Sequence, residues 1–354
     1  MNKYIFIEIK CIIILLIFIF SFLYLTPFFF YKHYKKKIPK ISVFIPVYNN
    51  EKYIKRSIES VQNQTLRDIE IIVVNDCSND SSLQILNDYA NNDKRIIIVN
   101  NDKNRGLLYS RAMGILNSSG EYLMNLDSDD EIMGYDTLEY LYNHTLKNNV
   151  DIITFNIFDQ KENTSIKCNN INKIIKQPIL FKSLFFGNNL NQDYLLWNKL
   201  IKKEIFQKAY NAFKKEIYNG KWNYFEDDIW SILVNKFAES KLCLNRLVYI
   251  YNYNNNSLMN KRFDAMEFHN ILYRHEMYKK IFVRKEDEPY LIAEYFFLFN
   301  RLKWELKYLL LLNDNNIKEH IKNIFQYFLD KYNCTVPQRK EINDFLKIIT
   351  VFSF

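Results

Sequence analysis

Glycine and proline are scarce in this chain, six of each in 354 residues. Alanine is also rare, while Ile, Asn, Lys, Tyr and Phe abound. Such a skew is a coding bias as much as a functional signal, so Asn runs such as Asn254-Asn255-Asn256 carry no weight. Cysteine is sparse too. Cys11, Cys77, Cys168, Cys243 and Cys334 are odd in number, scattered and free of Cys-x-x-Cys spacing. That excludes a zinc site and a dense disulfide framework, and leaves the redox compartment open. No surface interleaves basic and aromatic residues as a nucleic-acid site does, and the net charge of +8 is modest. No internal repeat is visible.

Charge is absent from residues 11–31. About 20 apolar residues span a bilayer. Phe28-Phe29-Phe30 offers no small-residue cleavage site, which argues against a cleaved signal peptide. The segment reads as a single-pass transmembrane anchor. The lysines that follow, Lys32, Lys35, Lys36, Lys37 and Lys40, suit anionic lipid headgroups. By the positive-inside rule they place the remainder in the cytosol; a Golgi-type or ER-type anchor would place it in the lumen. The sequons Asn79-Asp80-Ser81, Asn117-Ser118-Ser119 and Asn143-His144-Thr145 do not decide between them. The expected layout is a tail over 1–10, the anchor over 11–31, a basic stem over 32–40, a large domain over 41–260 and a helical region over 261–354.

Apolar strand-like runs and helical periodicity alternate after the stem. Strands are expected at Ile41–Ile45 (stopped by Pro46), Ile69–Val74, Arg95–Val99 and Tyr122–Leu126, and helices at 51–62, 83–89 and 109–116. The strands are continuously apolar rather than alternating. That predicts an α/β fold, Rossmann-like, with a mostly parallel sheet and helices on both faces. In such sheets ligands bind beyond the C-terminal strand ends. The polar clusters Tyr48-Asn49-Asn50, 76–80 and 127–130 fall there. Order is less legible over 160–220. Past 260 the aromatic stripe Tyr295, Phe296, Phe299 and Trp304 predicts core or membrane-surface packing.

Asp127-Ser128-Asp129-Asp130 is the most informative stretch. Alone it reads as a solvated turn or a helix N-cap. Carboxylates gathered at a strand end repel one another unless a hard divalent cation and a phosphate sit between them. Val43 to Glu51, Ile71 to Ser81, Asn104-Arg105-Gly106 with Arg111, Gly120-Glu121-Tyr122 and Tyr224-Phe225-Glu226-Asp227-Asp228-Ile229-Trp230 keep it company.

In this order and near this spacing the motifs resemble family 2 of the glycosyltransferases, the GT-A nucleotide-sugar enzymes, from about residue 41 to 255. The resemblance implies a GT-A fold. It places Pro46, Val47, Tyr48, Asn49 and Glu51 at a nucleotide-sugar pocket. Asp76 would accept a hydrogen bond from the base, with Asp80 beside it. Asn104, Gly106 and Arg111 would steady the diphosphate or the acidic loop; a structural ion pair explains Arg111 equally. Asp127-Ser128-Asp129 matches the family's Asp-x-Asp, with Asp129 ligating Mn²⁺ or Mg²⁺, Asp127 facing the ribose or a metal water, Ser128 lining the nucleotide sugar and Asp130 a further candidate ligand. Asp227 would be the catalytic base. Glu226 and Asp228 would adjoin it on the acceptor side, and Asp228 leaves the register open by one residue. An acidic helix N-terminus is the plainer account of that trio. Trp197, in Trp197-Asn198-Lys199-Leu200, would stack on an acceptor sugar or simply pack in the core.

What the resemblance implies overall is a membrane-anchored, inverting transfer of one sugar from a nucleotide diphosphate sugar, preferentially UDP, to a glycan or lipid-linked hydroxyl. A polyisoprenyl-phosphate acceptor, or a non-catalytic nucleotide-sugar-binding protein on the same fold, are the alternatives. No Gln-x-x-Arg-Trp follows, which excludes a processive cellulose- or chitin-type synthase. Asn75 stands where a second acidic residue is common, so only Asp76 is the charged partner there.

Overall fold

Ile41–Val47 (β1) and Ile69–Asn75 (β2) are buried along their whole length, because both faces of the sheet they form are covered. The structure is a computed structural model. It describes residues 38–168, 170–177, 195–218, 226–254, 315–331 and 336–351, with positions 14–16, 20, 272, 275, 278, 279, 298, 299 and 302.

The remaining elements follow in chain order. They are α1 (Ile54–Gln62), α2 (Ser82–Asn92), β3 (Ile96–Asn100), α3 (Leu107–Asn117), β4 (Tyr122–Asn125), β5 (Glu131–Ile132) and α4 (Thr137–Asn148). Then come β6 (Ile152–Asp159), β7 (Thr164–Ile166), β8 (Ile174–Lys176), β9 (Lys199–Lys202), α5 (Lys203–Ile217), α6 (Glu226–Phe237), β10 (Ser240–Tyr251), α7 (Asn315–Lys331) and α8 (Val336–Val351).

The strand order is β3-β2-β1-β4-β9-β6-β10-β5, with β7 on β6 and β8 on β10. β3, β2, β1 and β4 are mutually parallel, as expected. The rest of the sheet corrects the mostly parallel expectation. β9 runs antiparallel to both β4 and β6, and β5, β7 and β8 are antiparallel additions. Two reversals through β9 restore the direction, and β10 is parallel to β6. The C-terminal ends of β1, β2, β4 and β10 therefore share one edge of the sheet.

Side-chain alternation divides the core. Val43, Ile45, Ile71 and Val73 pack with α1, α2 and α4, while Phe44, Ile72 and Val74 pack with α3, α5 and α6. Pro46 does not stop β1; it pairs with Val74 inside the strand. The Leu126 amide donates to Phe44 O and the Asp76 amide donates to Val47 O. Pro46 thus faces the β4 side, where pairing has ended at Phe44 and Asn125, and its missing N–H costs no ladder bond. Cys168 and Cys243 form a disulfide across a separation of 75 residues, tying the segment before β8 to β10.

In the C-terminal region α7 and α8 are helical as expected, and Phe299 meets Phe325 and Phe345 edge-on at 5.7 and 5.4 Å. Tyr295, Phe296 and Trp304 lie outside the described residues. So does most of the 11–31 segment, where Ile14, Leu15, Leu16 and Phe20 are helical and exposed. Among the described residues no helix is long and apolar enough to cross a membrane.

Candidate functional site

Two loops at the shared edge are sewn together. After β1, the Asn49 amide donates to Ser78 Oγ at 3.1 Å and the Glu51 amide to Asp80 Oδ2 at 3.0 Å. In return the Asn79 amide donates to Asn49 Oδ1 at 2.7 Å and the Ser81 amide to Glu51 Oε2 at 2.8 Å. Asn49 reaches this geometry at φ +48°, in the left-handed region that Asn tolerates. Tyr48 stays 47% exposed, whereas Pro46 and Val47 are buried in the strand. Burial pushes the Asp80 carboxyl up, but the bonds from Ser82 and from the Glu51 and Ser82 amides outweigh it and hold the pKa below its ordinary value.

Asp76, 4% exposed, directly follows β2. Its Oδ1 accepts from Asn101 Nδ2 at 2.7 Å and from the Arg105 amide at 2.8 Å, and its Oδ2 accepts from the Gly106 amide at 2.8 Å. Gly106 sits at φ +88°, which glycine adopts freely. The carboxylate therefore docks the turn that starts α3. Asn104 lies in the same turn, its buried Oδ1 without a hydrogen-bond partner among the described residues.

The acidic loop after β4 is held from three sides. Arg56 of α1 donates to Asp129 O at 2.5 Å, and Asn50 Nδ2 donates to Ser128 Oγ at 2.7 Å. Tyr249 of β10 accepts from the Asp127 amide at 3.1 Å and donates to Asp130 Oδ2 at 2.7 Å. The Asn252 amide donates to Asp130 Oδ1 at 2.8 Å, and Asn254 Nδ2 donates to Asp129 Oδ2 at 2.8 Å. Asp130 is 1% exposed; burial and then its acidic neighbours push it well above the ordinary carboxylate range. Both its oxygens are taken by β10 and the residues after it, so it anchors the loop. Asp129 is raised by burial first and by Asp127 as well, with the Asn254 bond pulling the other way.

Arg111 joins this loop to α6. The guanidinium is 2% exposed, and it donates through Nη2 to Asp127 Oδ1 at 2.9 Å and through Nη1 to Glu226 Oε1 at 2.6 Å. Burial disfavours its charge, and Asp127 and Glu226 outweigh that and raise its pKa. Burial lifts Glu226 to about 7 despite the pull of Arg111. Asp227, half-buried, is raised by burial and lowered by Arg111. Asp228 is buried and donates its amide to Asp227 Oδ1 at 3.0 Å.

The structure thus brings Asp127, Arg111 and Glu226 together and sets Asp227 beside them. It does not put Arg111 with Asn104 and Gly106, which belong to the Asp76 turn. Trp197 stacks on Tyr251 at 5.5 Å and 15°, and tilts on Tyr249 at 4.7 Å. Tyr251, close to the acidic loop, is raised to about 12 by burial and by Asp130, Asp129 and Asp127.

Sequence reasoning missed Tyr249, Asn252, Asn254 and Arg56. Asn254 opens a run discounted as compositional and Asn252 lies two residues before it; nothing local marks the other two.

Asp127 Oδ2 and Asp129 Oδ1 hold no hydrogen bond among the described residues. These hard oxygens fit a divalent cation, whose charge would relieve the repulsion between them. Among the described residues no three His, Cys, Asp or Glu side chains cluster to enclose a metal.

Residues 42–210 match the model described as "Glycosyl transferase family 2". The chain is 33% identical over 177 residues to the glycosyltransferase GlyA of Streptococcus pneumoniae, covering 48% of this chain and 25% of that one. It is 30% identical over 224 residues to the uncharacterized glycosyltransferase EpsJ of Bacillus subtilis, covering 62% and 63%. The chain therefore spans less than two thirds of either relative's length. Among solved structures, S. aureus TarS 1-349 in complex with UDP-GlcNAc superposes with a TM-score of 0.55 at 17% identity, covering 73% of this chain and 80% of that one. That likeness is one of fold, and it identifies the mixed sheet as GT-A. Motifs, sheet and family model agree: residues 42–210 belong to glycosyl transferase family 2.

Proposed function

We propose that the protein is a membrane-anchored, metal-dependent, inverting glycosyltransferase. It moves one sugar from a nucleotide diphosphate sugar, UDP in our reading, to a hydroxyl on a glycan or lipid-linked acceptor. The observation that carries this is the Arg111 bridge, which ties the acidic loop to the acidic start of α6 at one sheet edge. The loops after β1 and β2 form the nucleotide side, and the Asp76 and Asp80 carboxylates hold those loops in place.

Asp127 and Asp129 would hold Mn²⁺ or Mg²⁺. When bound, such an ion stabilises negative charge on a departing diphosphate as a Lewis acid. Asp227 takes the proton from the acceptor hydroxyl. Burial raises its basicity, which suits a general base better than an ordinary aspartate. A base on the face opposite the leaving group gives a single displacement and inversion at the anomeric carbon. Trp197 and Tyr251 offer aromatic surface to the acceptor. Residues 11–31 anchor the chain; the exposed apolar helical positions Ile14, Leu15, Leu16 and Phe20 support that assignment.

The test is metal-dependent hydrolysis across a panel of nucleotide sugars, with UDP calorimetry in the presence and absence of Mn²⁺. Asp129→Ala abolishes hydrolysis and leaves the fold intact. UDP binding indifferent to Mn²⁺, with no sugar released from any donor, defeats the proposal in favour of a binding protein.

A further inference from the structure

Glu226 lies on α6, on the acceptor side of the reading above, yet its partner is the residue that grips the donor loop. Arg111 is the only link between them that the hydrogen bonds of the described residues show: Glu226 Oε1 to Nη1 at 2.6 Å, then Nη2 to Asp127 Oδ1 at 2.9 Å. An arginine in a protein does not lose its proton. One positive charge is thus shared by two carboxylates; the side chains of Arg111 and Glu226 are 2% and 6% exposed, and that of Asp127 is 25% exposed. The other oxygen of Glu226, Oε2, is buried without a hydrogen-bond partner among the described residues. Nothing but Arg111 competes for the glutamate's charge in this set of bonds.

We propose that Glu226 is a positioning residue for the donor site: by drawing on Arg111 it loosens the hold of that arginine on Asp127, and so sets how strongly Asp127 and Asp129 take a divalent cation. The inference rests on the reading that those two aspartates hold the metal. The physical reason is competition. A guanidinium fully paired with Asp127 opposes a cation at the same carboxylate. A guanidinium divided between Asp127 and Glu226 opposes it less, and the glutamate charge itself favours a nearby cation. Glu226 never touches the metal; it acts through the fork of Arg111, whose planar geometry allows both contacts at once.

The experiment is calorimetric titration of Mn²⁺ into the full chain at saturating UDP, in buffer alkaline enough to ionise a Glu226 that burial lifts to about 7, for the wild type, Glu226→Gln and Glu226→Asp. Glu226→Gln keeps the size and an acceptor oxygen for Arg111 but removes the charge. It weakens Mn²⁺ binding about tenfold, equivalent to about 1.4 kcal/mol, and leaves metal-free UDP affinity unchanged. Glu226→Asp keeps the charge and lies between the two. A purely structural role would lower the melting temperature of both variants without this split between metal and nucleotide affinity. Mn²⁺ affinity within twofold of wild type in Glu226→Gln overturns the proposal. If that variant does not fold, wild-type affinity in Glu226→Asp overturns it instead. A wild type whose UDP binding ignores Mn²⁺ overturns the metal reading itself, a distinct result.

Discussion

Tyr249→Phe removes one oxygen and leaves the ring in place against Trp197. The hydroxyl donates to Asp130 Oδ2 at 2.7 Å and accepts from the Asp127 amide at 3.1 Å. A hydrogen bond to a charged group contributes about 1.5–3 kcal/mol, and an amide left without its partner adds about 1 kcal/mol. Asp130 is 1% exposed and keeps only the Asn252 amide, so water does not replace the lost donor. The variant is therefore less stable by about 2–4 kcal/mol where Asp130 is ionised, a large share of the roughly 5–15 kcal/mol of a typical domain.

The cost depends on pH, and its sign follows from Asp130. Its folded pKa is raised well above the ordinary value, so the folded state binds its proton more tightly than the unfolded chain, and this group erodes stability as pH rises from the ordinary value through the folded one. Without the tyrosine hydroxyl the carboxylate is worse solvated, the folded pKa rises further, and the erosion deepens. The difference between variant and wild type is small in acid, where the group is neutral, and grows as the buffer becomes alkaline. Urea denaturation followed by fluorescence measures this, with the midpoint falling and the slope unchanged. A difference below about 0.5 kcal/mol in alkaline buffer, the size of an ordinary surface change, or a difference that grows towards acid, refutes the reasoning.

Gly120→Ala places a methyl 2.5 Å from Ser42 Oγ and 2.6 Å from the Ser42 amide. Backbone cannot swing aside, and the Gly120 amide loses its bonds to Ser42 and Glu70; the melt shifts by about 1–3 kcal/mol of destabilisation. Replacing Cys168 and Cys243 together with serine opens a loop closed across 75 residues. Chain entropy sets that loss at about 4 kcal/mol, read as a lower denaturation midpoint, and alkylation of the unreduced wild type leaves both cysteines unmodified.

The first half of the domain was legible because its signals are local. Continuous β-branched runs separated by helical spacing announce a parallel sheet, and the carboxylates fall where such strands end. Pro46 misled because proline breaks a strand only on a side that is paired. The second half carries weaker signals. β7, β8 and β9 are three or four residues long and pair antiparallel, so neither length nor alternation sets them apart from loop. The disulfide has no spacing signature at 75 residues. In the site, each acidic motif was visible by itself. The Arg111 contact with Glu226 spans 115 residues, and only the folded sheet edge reveals that the two motifs share one cation. Asn252 and Asn254 show the cost of discounting a biased composition: the first residue of the run, and another two positions before it, hold aspartates.

The clamp that β10 places on the acidic loop bears on where the working unit ends. The family model stops at residue 210. A fragment cut there retains every residue of Asp127 to Asp130 but none of Tyr249, Asn252 or Asn254. Asp130 would then be an acid whose two hydrogen-bond donors have yet to be made, since the ribosome adds them only about 120 residues after Asp130 itself. The acidic motif is contiguous in sequence and its clamp matures late, so its completion reports that β10 has joined the sheet.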